Sequence, residues 1–261
     1  MLRARVVTAL ALLAAFLCVL FLLPRPLVAV AFALIAALAG WEWAGLTAVG
    51  RPAFVAVVLG CCLAAYGVDG SANLVLWSAS AVFWLVAIPL WLYRRWPLAG
   101  HRPAAYAVGL IVIVPTWAAM VGLHDRSPWL LFAAMALVWV ADIAAYFTGR
   151  AVGRRRLAPA ISPGKTWEGV GGAVAATLIY GVGAALIAGL SPASHLGWSP
   201  FLVLLTAISI VGDLFESMIK RQAGAKDSGS LLPGHGGVLD RIDSQTSTLP
   251  LVALALQLGV K

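Results

Sequence analysis

The chain has 261 residues, of which 62% are hydrophobic and 11% are charged, and its formal net charge is +8 at pH 7. This composition excludes a water-soluble globular protein and is typical of a chain that crosses a membrane several times. The cations lie at the ends of apolar runs and not on one soluble basic face, so we expect no nucleic-acid partner.

Nine apolar runs follow one another along the chain. They cover roughly 6–23, 27–49, 53–68, 73–93, 104–123, 128–148, 168–190, 199–219 and 245–260. A membrane-spanning helix needs about 20 apolar residues, so the runs predict an all-α, polytopic integral membrane protein with about nine transmembrane helices. The last run is short for a bilayer, and a re-entrant or interfacial helix remains an alternative for it.

The Lys and Arg residues are distributed unevenly between the two sides of the predicted bundle. With the N-terminus inside the cell, 15 of the 18 cations fall on the cytoplasmic side, where positively charged loops are retained. This orientation places both charge-rich loops, about 149–167 and 220–244, in the cytoplasm. The abundance of Ala, Gly, Arg and Val is typical of a GC-rich bacterial genome, so we expect the bacterial inner membrane.

The acidic residues divide the chain into two regions. Residues 1–140 contain three of the ten acids, and residues 141–261 contain the other seven. We therefore expect 1–140 to be mainly a transmembrane scaffold and 141–261 to be the catalytic region.

One predicted helix has a polar stripe in the catalytic region. Asp213, Glu216, Ser217 and Lys220 are spaced i, i+3, i+4 and i+7, which puts them on one helix face. An acid inside a membrane helix costs about 2.5–3.5 kcal/mol on insertion scales and is a candidate for function. The alternative to a functional role is that Glu216 and Lys220 only pair with each other. Asp213 has no cation nearby in the sequence. Asp142 is a second acid in an apolar run.

A basic loop ends in the segment from Ser162 to Gly169. We expect Ser162, Pro163 and Gly164 to form a turn whose N–H groups, with Lys165 and Thr166, make a phosphate cradle. The chemistry resembles that of a P-loop, but the P-loop sequence is absent. Arg154, Arg155 and Arg156 are as compatible with a catalytic role as with a role only in topology or in binding anionic lipid.

The segment from Ser217 to Asp243 concentrates charge in an otherwise apolar chain. Its cations can neutralise phosphates and its aspartates are the hard oxygen donors that Mg²⁺ prefers. The mixture indicates a metal-assisted phosphoryl or nucleotidyl transfer. The charged residues concerned are Lys220, Arg221, Lys226, Asp227, Asp240, Arg241 and Asp243.

This segment resembles the signature of the phosphatidate cytidylyltransferases, also called CDP-diacylglycerol synthases. The matching positions are Ser217, Lys220, Arg221, Lys226, Asp227, Pro233, His235, Gly236, Gly237, Asp240, Arg241 and Asp243. A second motif of that family is similar to Asp142, Tyr146, Gly149 and the 162–169 segment. Trp41-Glu42-Trp43 also resembles a family feature.

The resemblance implies transfer of a cytidylyl group from CTP to phosphatidate by a Mg²⁺-dependent membrane enzyme that is usually a homodimer. The resemblance leaves open whether a second metal ion binds. Expected metal ligands are Asp213, Asp240, Asp243 and Asp142. Expected catalytic residues are Lys220, Arg221, Lys226, Asp227, His235 and Arg241. Expected substrate-binding residues are Ser162, Lys165, Thr166, Glu168, Ser217, Gly236 and Gly237.

Two other functions fit parts of the pattern. A CTP-dependent polyprenol or phytol kinase acts on a lipid alcohol, and the complete 217–243 match disfavours it. A transporter also places acids in membrane helices, but it usually shows inverted repeats and broken helices at the midplane. In this chain the charges lie near one face.

Overall fold

The computed structural model describes residues 2–67, 70–98, 100–189, 192–232 and 236–259. Apart from one short hairpin, the regular structure in these ranges is helical. The helices are α1 (Leu2–Leu22), α2 (Arg25–Leu46), α3 (Arg51–Tyr66), α4 (Gly70–Val82), α5 (Ile88–Arg94), α6 (Arg102–Arg126), α7 (Pro128–Val152), α8 (Trp167–Ile187), α9 (Pro192–Gln222) and α10 (Leu239–Gln257). A π-helical segment, Phe83–Ala87, continues α4 into α5. The predicted all-α fold is confirmed.

Six helices in the described part of the chain are long and apolar enough to cross a membrane. They are Arg25–Leu46, Asn73–Arg94, Arg102–Arg126, Pro128–Val152, Trp167–Ile187 and Gly197–Gln222. The chain is thus a multi-pass membrane protein. Each of the nine predicted runs coincides with one helix or with the continuous α4–α5 unit, but nine full crossings remain a prediction.

The charge-rich loops are shorter than the sequence predicts. Helix α9 extends to Gln222 and α10 begins at Leu239, so the loop between them is 223–238. We call this segment the catalytic loop, after the catalytic residues that the sequence predicts in it. Helix α9 ends because Gly224 adopts a positive φ of 67°. Ala225 N donates to Lys220 O at 2.9 Å and Gly224 N to Arg221 O at 3.1 Å, which is the Schellman pattern.

Helix α10 lies inside the bundle, where it packs against α9, α6 and α4. Its residues 244–248 are polar and buried. Some of them bond to neighbouring helices: Ser247 Oγ donates to Ile208 O at 2.9 Å, and Thr116 Oγ1 donates to Thr246 O at 3.2 Å. Such bonds between helices satisfy polar groups that lipid would not. This explains why a helix at the centre of a membrane protein has low hydropathy.

Gly212 lets α9 and α10 approach closely. A Cβ atom at this position would lie 2.5 Å from Ser247 Oγ and 2.9 Å from Asp243 O, which is closer than real Cβ contacts. The next residue of α9 is Asp213. The glycine therefore brings Asp213 of α9 and Asp243 of α10 to the same part of the bundle.

Candidate active site

A cavity of about 780 Å³ lies between α7, α8, α9, α10 and the hairpin, within the range of small-molecule sites. Ten of the residues that the sequence singles out line this cavity. They are Asp142, Ser162, Lys165, Thr166, Asp213, Lys220, Asp227, Asp240, Arg241 and Asp243. Residues from distant parts of the C-terminal region therefore meet at one site.

The basic loop forms a two-stranded antiparallel hairpin, β1 (Arg156–Ala158) and β2 (Ser162–Thr166). The predicted turn at 162–164 is wrong. These residues belong to β2, where Ser162 pairs with Ala158, and the turn lies at 159–161. Because the two strands pair, the chain reverses direction near Pro159. The same pairing holds Lys165 at the cavity.

Thr166 and Glu168 organise the start of α8. Thr166 Oγ1 accepts a hydrogen bond from Gly169 N at 3.1 Å and caps the helix. The Glu168 carboxylate accepts from Arg154 N at 3.0 Å and from Arg155 N at 3.2 Å. Glu168 lies outside the described lining of the cavity, so its contacts brace the basic segment.

Asp213 has a cation partner from a distant part of the sequence. Lys165 Nζ lies 2.6 Å from Asp213 Oδ2, with both side chains about one quarter exposed. Ser217 Oγ donates to Asp213 Oδ1 at 3.1 Å. Asp213 has no cation nearby in the sequence, but the hairpin brings Lys165 to α9 across 48 residues of sequence.

Two further carboxylates lie within electrostatic range of Asp213. They belong to Asp142 of α7 and Asp243 of α10. Asp243 Oδ1 accepts a hydrogen bond from Ser244 N at 2.7 Å. Neither side chain forms an ion pair with any residue that the structure describes. Three acids thus lie near the single ammonium group of Lys165, which leaves this side of the cavity rich in carboxyl groups.

Asp240 has a different environment. Its Oδ1 lies 2.5 Å from Lys220 Nζ, and its Oδ2 accepts from Ser228 N at 2.9 Å and from Gly237 N at 2.8 Å. Lys220 Nζ also lies 3.2 Å from Glu216 Oε1, so the i, i+4 pair considered for the sequence is present. Both oxygens of Asp240 are already engaged, and they connect α9 to the catalytic loop.

The remaining predicted residues are spread over the catalytic loop and α9. Arg221 and Lys226 are exposed, and Arg221 Nη1 donates to Ala225 O at 3.3 Å. Gly236 O accepts from Leu232 N at 3.0 Å. Of the predicted site residues that the structure describes, Arg221, Lys226, Gly236, Ser217 and Gly237 do not line the cavity, and neither does Glu168. His235 lies outside the described residues.

The structure places two arginines at the site: the sequence left Arg156 open between a catalytic role and a role in topology, and it gave Arg150 no role in the site. Arg150 and Arg156 both line the cavity and are exposed. Arg150 Nη1 donates to the Tyr146 hydroxyl at 2.8 Å, one turn earlier on α7. An arginine that binds phosphate and an arginine that only sets the membrane topology both lie at the end of a predicted helix. The sequence alone therefore did not distinguish between these two roles.

The structure also adds Glu42 of α2. Its Oε2 accepts from Ser228 Oγ at 2.9 Å and from Leu239 N at 2.8 Å, and its Oε1 accepts from Val238 N at 2.9 Å. The side chain is buried. The sequence showed Glu42 as a single acid in the second apolar run and as part of a feature that resembles the family, but it did not show the partners of this residue.

Comparison with known proteins agrees with the geometry. A model of the cytidylyltransferase family matches residues 3–259. The chain is similar to the phosphatidate cytidylyltransferase of Pseudomonas aeruginosa, with 43% identity over 98% of this chain and 97% of the relative. It is 36% identical to that of Haemophilus influenzae over 96% of each chain. The chain belongs to the cytidylyltransferase family.

Proposed function

We propose that the chain transfers a cytidylyl group from CTP to phosphatidate, forming CDP-diacylglycerol and pyrophosphate. The observation that supports this most strongly is the convergence of acids and cations from α7, the hairpin, α9 and α10 on one cavity of about 780 Å³. The names of the full-length relatives agree with this substrate pair.

The reaction joins two anions, and this explains the residues at the site. An oxygen of the lipid phosphate forms a bond to the α-phosphorus of CTP, and the bond from the α-phosphorus to the bridging oxygen breaks as pyrophosphate leaves. Phosphatidate supplies the nucleophile, so no protein nucleophile is needed. Catalysis then depends on positioning and charge neutralisation. Arg150, Arg156, Lys165 and Arg241 line the cavity and suit phosphate contacts.

The acids of the cavity fit the Mg²⁺ that the family resemblance implies. In the described ranges no group of three His, Cys, Asp or Glu side chains is arranged to hold a metal ion by itself. Mg²⁺ usually binds one or two carboxylates together with substrate phosphates. Asp142 and Asp243 lack ion-pair partners among the described residues, and Asp213 lies within electrostatic range of both.

We therefore propose that Asp142, Asp213 and Asp243 hold Mg²⁺, and that Asp240 organises the catalytic loop. When bound, Mg²⁺ would neutralise phosphate charge and polarise phosphoryl oxygens. A second ion at the same acids remains a proposal. Thermal unfolding tests this assignment without an activity assay. The unfolding midpoint of the substrate-free and of the CTP-bound protein is measured with and without Mg²⁺, and the shift gives the stabilisation by Mg²⁺.

An assay with labelled CTP tests the proposed function. Purified protein receives Mg²⁺, either phosphatidate or a lipid alcohol, and CTP labelled either at the α-phosphorus or at the γ-phosphorus. We expect the α label to enter the lipid and the γ label to leave in pyrophosphate. Transfer of the γ label to a lipid alcohol would identify a kinase, and no transfer to either lipid would contradict both activities.

We propose that the catalytic loop faces the cytoplasm of a bacterial inner membrane, where CTP is available. The bias of the cations supports this orientation. In a variant without Cys18, Cys61 and Cys62, an impermeant thiol reagent should modify Ser230→Cys only in broken cells. Ser127→Cys, at the opposite end of the bundle, should react in intact cells. The reverse pattern would refute the orientation.

The homodimer that the family resemblance implies is also a proposal. Light scattering of the purified protein, corrected for bound detergent, measures the mass of the assembly directly. A mass of one chain at all protein concentrations would contradict it.

A further inference from the structure

We propose that Glu42 is a positioning residue for cytidylyl transfer, acting from α2 on the catalytic loop and the start of α10. The inference rests on the proposed function and extends the active site into the region 1–140. Glu42 does not belong to the described lining of the cavity. Its effect on the reaction must therefore pass through the residues that it holds.

The first contact of Glu42 is with the N-terminus of α10. The first N–H groups of a helix have no partner within the helix, and Val238, the cap residue, makes no capping bond with its own side chain. Glu42 accepts from Val238 N and Leu239 N at 2.9 and 2.8 Å. A carboxylate is also favoured there by the helix dipole. An acid from 196 residues earlier thus caps the helix that contains Asp240 and Asp243.

The second contact is with the catalytic loop. Ser228 Oγ donates to Glu42 Oε2 at 2.9 Å, while Ser228 N donates to Asp240 Oδ2 at 2.9 Å. Two carboxylates from different helices therefore hold the same serine. Asp227, the preceding residue, lines the cavity, as does Asp240. A displacement of Ser228 would move both of these acids.

Two glycines show how closely the loop packs on this carboxylate. A Cβ atom at Gly229 would lie 2.6 Å from Glu42 Oε1, and one at Gly237 would overlap Glu42 Oε2 and Ser228 Oγ. The Glu42 side chain is only 3% exposed. Water cannot replace a lost hydrogen bond at such a site without rearrangement, so an unmatched donor there is costly.

Variants of the full chain test the inference. Glu42→Gln keeps the size of the side chain, but its NH₂ group faces donors instead of accepting from them. We expect kcat per folded molecule to fall about 100-fold, because small displacements of a catalytic group have effects of this size. Glu42→Asp keeps the charge and should recover part of the loss. Asp125→Asn, which breaks a surface pair with Arg25, is the matched control and should keep the wild-type kcat.

Hydrogen exchange of the substrate-free protein gives an independent measurement. In Glu42→Gln the amides of 228–232 and 236–240 should exchange faster than in the wild type, while those of α6 should not change. If Glu42→Gln does not fold, Ser228→Ala is the second variant. It removes one of the three donors to the Glu42 carboxylate and should show the same increase in exchange, with a smaller magnitude.

Unchanged exchange at 228–240, or a kcat per folded molecule within about twofold of the wild type, would overturn the inference. A lower yield of folded protein with unchanged kcat would also overturn it, since that result indicates a purely structural role. Failure of the wild type to make CDP-diacylglycerol would instead refute the proposed function, and the exchange data would still test the contact.

Discussion

The two regions of the chain use their acids in different ways. In 1–140, Glu42 accepts three hydrogen bonds within the protein, and Asp125 lies 2.8 Å from Arg25. In 141–261, Asp142 and Asp243 form no ion pair with a described residue and line a cavity. An acid that accepts hydrogen bonds from backbone N–H groups of another segment holds the structure, whereas a cavity acid without such bonds, as Asp213 is also, can hold a ligand.

The contrast also separates two aspartates only three residues apart on α10. Asp240 bonds to Lys220, Ser228 and Gly237, which makes it similar to Glu42. The Asp243 carboxylate accepts only from Ser244 N among the described residues. Spacing in the sequence groups these two acids together, but their partners assign them to different tasks.

The largest expected effect comes from Asp213→Asn. If Asp213 holds Mg²⁺, losing its charge should remove several kcal/mol of transition-state stabilisation and reduce kcat by about 1,000-fold or more. The thermal unfolding midpoint without Mg²⁺ should change little, but the added stability from Mg²⁺ with CTP should disappear. Turnover near that of the wild type at saturating Mg²⁺ would show that Asp213 serves the structure, as Glu42 does.

Lys165→Met should have a smaller effect. Lys165 lies 2.6 Å from Asp213 at the cavity, and hydrogen bonds to charged groups are worth about 1.5–3 kcal/mol. We expect kcat/KM for CTP to fall about 10- to 100-fold. Lys165→Arg keeps the charge and is the matched control. An equal loss in both variants would indicate that the geometry of the ammonium group matters more than its charge.

Much of this fold follows from local properties of the sequence. Apolar length located the helices, and helix periodicity placed Asp213 and Lys220 on one face of α9. Contacts between distant segments were not accessible in this way. The pairing of Lys165 with Asp213 and the cap that Glu42 provides for α10 depend on how whole helices pack. The short hairpin was missed because Pro163 and Gly164 usually indicate a turn.

The smallest expected effect comes from Glu168→Gln. The Glu168 carboxylate accepts from the backbone of Arg154 and Arg155 and lies outside the described lining of the cavity. Glutamine keeps one acceptor oxygen, so the segment before β1 should loosen without unfolding. We expect KM for phosphatidate to rise by about two- to fivefold, since net hydrogen bonds are worth roughly 0.5–1.5 kcal/mol, while kcat should stay near that of the wild type. Steady-state assays in mixed micelles measure both constants. A fall in kcat as large as that expected for Asp213→Asn would mean that Glu168 belongs with the acids that hold a ligand, and the assignment of acids by their hydrogen-bond partners would fail at this position.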